Sequence, residues 1–150
     1  MPATPFHSIA VQRARSLIDS PAVEQATSPS PANRAANACN HLYSALSRWV
    51  GRDGCHALFV RALAEVRLEH PPLEEIALRP GADPYVEGVG PVIITYGDDA
   101  AAKGLETMLI ALFELLARLI GDDMATKLID QASAELPTGR INRSYKENEA

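Results

Sequence analysis

The chain has 150 residues, 47% of them hydrophobic and 22% charged, and a formal net charge of −5. That length fits one domain with a core of ordinary size, and an aromatic share of only 5% beside abundant Ala and Leu favours helix over sheet. Residues 81–135 carry three basic against ten acidic side chains, a surface that repels phosphate backbones and disfavours nucleic acid as a partner.

The first expected element is a short amphipathic helix over residues 5–19. Thr4 can cap it, Pro5 suits its first position, and Phe6, Ile9, Ala10, Ala14, Leu17 and Ile18 form one apolar stripe flanked by Arg13 and Arg15. Prolines and serines follow, so residues 1–31 are expected to be a detached helix plus linker. Its stripe (Phe6, Ile9, Ala10, Arg13, Leu17 and Ile18) is the candidate partner-binding surface.

The compact domain is expected over residues 32–136, as an all-α bundle of four or five helices. Ala35, Cys39, Leu42, Leu46 and Trp49 follow spacings of four and three, the seam of a helix lying lengthwise against another, and Gly51 ends it. Asp53 can cap the next helix, with Leu58, Phe59, Ala62, Leu63 and Val66 inward and His70-Pro71-Pro72 as its stop. With so short a link the two should form an antiparallel hairpin.

Leu73 to Leu78 reads as a further helical turn. Residues 80–91 are rich in Pro and Gly. Val92–Tyr96 is the chain's one β-prone run, and the reading favours helix after Pro91, with at most one short strand pairing near 92–96. From Asp98, itself or Asp99 serving as cap, a long helix runs to Gly121 with apolar side chains on almost every side, and Glu114 and Arg118 are spaced to pair. Asp122 caps the last helix, and residues 137–150 read as a flexible polar tail.

A helix so apolar is either central or carries an oligomer interface, for which Leu105, Met108, Leu109, Leu112 and Leu116 are the candidates. The alternative is a sensor holding an apolar molecule among Tyr43, Phe59, Met108 and Phe113.

No catalytic, cofactor-binding or metal-ligating residue is assigned. Cys39 and His41 are two apart and Cys55 and His56 adjacent, spacings that do not converge on zinc. A phospho-accepting His56 would need small and basic residues one turn on, where Phe59 and Val60 stand. The two Gly-Asp-Asp tripeptides at 97–99 and 121–123 read as helix boundaries rather than Mg²⁺ ligands. Gly88-Val89-Gly90 lacks the third glycine of a dinucleotide loop.

Two cysteines are too few for a secreted disulfide framework, and the opening six residues lack the basic and apolar regions of a signal peptide. The apolar run 105–120 is interrupted by Glu106, Glu114 and Arg118 and falls short of the ~20 residues a membrane span needs. The expectation is a soluble, cytoplasmic, non-catalytic interaction or regulatory module. Its partner is another protein or, as a homodimer, itself. An enzyme, with histidine phosphotransfer as one form, ranks behind both this and the sensor.

Overall fold

In the computed structural model, residues 5–19, 30–82 and 85–134 are described, with side chains from His7 to Ala132. Most of the expected linker and the whole tail at 137–150 therefore lie outside the described residues. Six α-helices make up most of what is described: α1 (Pro5–Ile18), α2 (Pro31–Val50), α3 (Arg52–Val66), α4 (Val89–Tyr96), α5 (Asp98–Ile120) and α6 (Asp122–Ala134). The all-α reading holds, and residues 92–96 are helical, Gly88 starting α4 with Pro91 in its first turn.

The one strand pairing among the described residues lies elsewhere than expected. Between α3 and α4 a 3-10 turn (Pro71–Glu75) leads into β1 (Ala77–Leu78), which pairs antiparallel with β2 (Val86–Glu87). The expected helical turn at 73–78 is thus half right. Pro71 and Pro72 start a tight turn, after which Ile76 is already extended.

Helix α5 is the axis of the bundle, in contact with α1, α2, α3, α4 and α6. Leu105, Met108, Leu109, Leu112 and Leu116, read from sequence as an oligomer interface, are essentially inaccessible within one chain. They are core, because five helices surround α5 along this stretch. Gly104 lets a further element approach. A β-carbon there would lie 3.1 Å from Leu73 Cγ, so the bare backbone is what seats the 3-10 turn on α5.

Three helix junctions share one geometry. Gly51, Gly97 and Gly121 each end one helix and start the next, with φ of 84–98° and ψ of 153–157°, a region almost reserved for glycine. Because glycine holds the N-cap position, the aspartates expected as caps sit one or two steps inside. Asp53, Asp98, Asp99, Asp122 and Asp123 all fall in first turns, where negative charge meets the positive end of the helix dipole. Asp98 turns its carboxylate to another helix and accepts from the Ala32 backbone N–H at 3.2 Å. Together with Ser30, whose Oγ accepts from Asn33 N–H, it caps α2.

The N-terminal helix is not detached. Ala10, Ala14 and Leu17 are buried, Ile9 and Ile18 pack at their edges, and α1 lies on α5, α2 and α6. Polar contacts flank this seam: His7 Nδ1 meets the Glu114 carboxylate, and Arg13 with Asp130 and Arg15 with Glu106 form ion pairs, each at 2.8 Å. Glu114 is therefore engaged by α1 rather than by Arg118, which reaches Glu65 on α3 at 3.2 Å. The stripe that looked available to a partner covers the chain's own core. Of the six residues assigned to partner binding, Ala10 and Leu17 are buried, Ile9, Arg13 and Ile18 line the seam, and the Phe6 side chain lies outside the described residues.

Candidate functional site

The Ala32–Asp98 contact joins the starts of α2 and α5, and Val50 lines one cleft with Leu119 and Ile120, so the two helices also end together. Gly51 and Gly121 then turn the chain back at the same end of the bundle. On α2 the buried positions stop at Leu46 and on α5 at Leu116. Both helices continue for another turn past their packing partners. What that extra turn carries is apolar: Trp49 and Val50 on α2, Leu119 and Ile120 on α5, with Met124 from the first turn of α6. Trp49, Leu119 and Met124 are 49%, 67% and 56% exposed. Val60, Leu68, Ile94 and Tyr96 are exposed elsewhere, but these five share one end, and a group of large apolar side chains marks a contact surface. Trp49, expected inside as the last residue of the seam, belongs to this surface instead.

Charges ring this end in balanced numbers. Arg48, Arg52 and Arg118 come from helix C-termini and the corner, Asp53, Asp122 and Asp123 from helix first turns. Arg48, Arg118 and the three aspartates sit where the helix dipole favours them, and Arg52, at the first position of α3, does not. Together they leave this end neutral in a chain whose net charge is −5.

A cleft of about 650 Å³ opens beside the same face, between α3 and the last turns of α5. Gly54, Ala57, Leu58 and Arg61 form its α3 wall, and Leu115, Leu116, Arg118, Leu119 and Ile120 its α5 wall, with Val50 at the corner. Tyr43, Phe59, Met108 and Phe113, the sequence-based pocket, are nowhere in this lining and are buried in the core. Tyr43 stacks on Tyr85 with ring centroids 3.7 Å apart, and Phe59 meets both edge-on. The aromatic rings that looked like a ligand cage fill one another's space. Leu115 and the Gly54 gap were the missed signals, and Leu116, read from sequence as an oligomer contact, lines the cleft instead. Gly54 is a glycine within a helix where no turn requires one, and a β-carbon added there meets nothing within 4 Å.

His56 joins the aromatic cluster through its Nδ1, 2.8 Å from the Tyr85 hydroxyl. Burial raises the Tyr85 hydroxyl far above its ordinary value, so the tyrosine stays protonated. Cys39 and Cys55 are free and buried, and burial pushes their thiols up to about 12 and about 11, so both are neutral at physiological pH. Such thiols pack as small apolar groups and are poor nucleophiles. Among the described residues, no three His, Cys, Asp or Glu side chains come together as metal ligands, and no helix is long and apolar enough to cross a membrane.

The fold and this end face define an all-α bundle whose most distinctive surface is an apolar, charge-balanced end with an adjoining cleft. Comparison of the chain with family models, with curated proteins and with solved structures gave no match.

Proposed function

We propose that this chain is a non-catalytic interaction module that works as a homodimer, with a second copy seated on the end face of Trp49, Val50, Leu119, Ile120 and Met124. The observation that carries the reading is the apolar overhang of α2 and α5 beyond their own packing, with five large side chains left partly in water. The occupant is a second copy because the ring of charge is mixed in sign and balanced. A two-fold axis through a patch of this kind sets basic groups of one protomer against acidic groups of the other, without the repulsion that two chains of −5 otherwise feel. The buried thiols, held neutral, fit a reducing cytoplasmic setting.

The test is light scattering of the full chain over a range of micromolar concentrations, with Met124→Glu as the variant. Met124 is exposed in the first turn of α6, where glutamate suits the helix dipole, so folding is spared. Loss of one such apolar contact and burial of a charge should weaken self-association by about tenfold or more. A wild type that stays monomeric, or a Met124→Glu chain that dimerises equally well, refutes the reading.

A further inference from the structure

We propose that the cleft between α3 and α5 is a binding site for a long-chain alkyl carboxylate, the chain lying over Leu58, Leu115 and Leu116 and the carboxylate meeting Arg61 and Arg118. The volume of about 650 Å³ is that of a small-molecule site. Its apolar floor argues for an alkyl chain. Leu115 and Leu116 line it yet are only 6% and 1% exposed, so water barely reaches the floor. A polymethylene chain is slim enough to lie along that floor. Gly54 and Ala57 keep the α3 wall low, with open space above the glycine.

The polar end argues for the carboxylate. Arg61 and Arg118 both lie in the lining, and no acidic residue does. Both guanidiniums share the single carboxylate of Glu65, at 3.3 Å and 3.2 Å, one anion for two cations. A second carboxylate balances the charge and takes up the donors of these two planar forks, which match its geometry. Apolar floor and cationic rim together describe a monoanionic amphiphile. A neutral hydrocarbon makes no use of the rim, and a polar anion makes none of the floor.

The single tryptophan, Trp49, sits next to Val50 at the mouth of the cleft and supplies a reporter. The full chain is titrated with dodecanoate below its micelle threshold and, in parallel, with dodecanol, following tryptophan fluorescence and heat of binding. The expected result is saturable binding of dodecanoate, with dodecanol weaker by about tenfold or more. Arg61→Gln combined with Arg118→Gln should remove that preference while leaving dodecanol unchanged. Gly54→Leu, which fills the space over α3 without touching the core, should abolish binding of both at an unchanged melting temperature. Val50, Leu119 and Ile120 belong to both the end face and the cleft, so dodecanoate is also titrated into Met124→Glu, a substitution outside the lining. Saturable binding by that chain, whatever its state of association, keeps the outcome of this inference distinct from that of the homodimer reading. Absence of saturable binding, equal affinity for acid and alcohol, or undiminished binding by a folded Gly54→Leu chain overturns the proposal. A response seen only with phospholipid vesicles, and not with free dodecanoate, overturns it as well.

Discussion

Leu17→Ala tests how firmly α1 belongs to the bundle. Leu17 is 3% exposed and is the largest fully described side chain in the α1 seam, where its companions Ala10 and Ala14 each bury little more than a methyl group. The flanking contacts are partly exposed, His7 and Glu114 by 42% and 34%, Arg15 by 67%, so they add little to the docking of α1. Truncating a buried leucine costs about 2–5 kcal/mol. A helix near the chain end can shift to close part of the cavity, which places this substitution at the low end, roughly 2–3 kcal/mol. The loss cannot exceed the docking energy of α1 itself, since beyond that point the helix leaves as a unit. Once undocked, 14 residues alone in water are a marginal helix and should melt. Thermal unfolding followed by circular dichroism should therefore show a midpoint lowered by about 4–10 °C, or a loss of helicity before the main transition. Gln12→Ala, on the exposed face of the same helix, should change stability by no more than about 0.5 kcal/mol. If Leu17→Ala is as silent as Gln12→Ala, α1 is not part of the fold in solution and the account of its seam is wrong.

Other outcomes follow from single contacts. Gly88→Ala should lower stability by roughly 2–4 kcal/mol in denaturant titration. Gly88 has a φ of 97°, and an added β-carbon would stand 2.6 Å from the Glu75 carbonyl oxygen, a backbone atom with little freedom to yield. The buried thiols predict an alkaline limit. Their folded values, about 12 for Cys39 and about 11 for Cys55, lie above the ordinary 9.0. The unfolded chain therefore loses these protons first as pH rises. Their stabilisation is complete below about pH 9 and declines between pH 9 and 11–12, by about 1.4 kcal/mol per pH unit for each thiol. Replacing both cysteines with alanine should flatten that decline. In the folded wild type at pH 8, a thiol reagent should react only at the rate of opening.

Much of the fold was legible in local spacing. The seam of α2, the breaks at Gly51 and Gly121 and the all-round apolar character of α5 each depend on residues a few positions apart, where helix periodicity speaks directly. What lay beyond reach depended on distant partners. The α1 stripe was visible, but that it covers its own bundle rests on Glu106, Glu114 and Asp130, about a hundred residues onward. Asp98 reads as a local cap because aspartate after glycine usually is one. Its acceptance from Ala32 is set by how α2 lies against α5. The end face escaped for a related reason. Periodicity places Trp49 on the inward stripe, yet a stripe is buried only as far as its partner extends, and here helix length outruns the packing. The cleft showed only as a glycine without a backbone reason to be one, at Gly54.

The self-association claim is tested most directly by amide chemical shifts of isotope-labelled protein over a dilution series from millimolar to low micromolar. The account predicts concentration-dependent shifts at the last turns of α2 and α5 and the first turns of α3 and α6, centred on Trp49, Ile120 and Met124, and lost in Met124→Glu. Shifts that do not move on dilution, or that move instead along α1 or α4 while this end stays still, would contradict it.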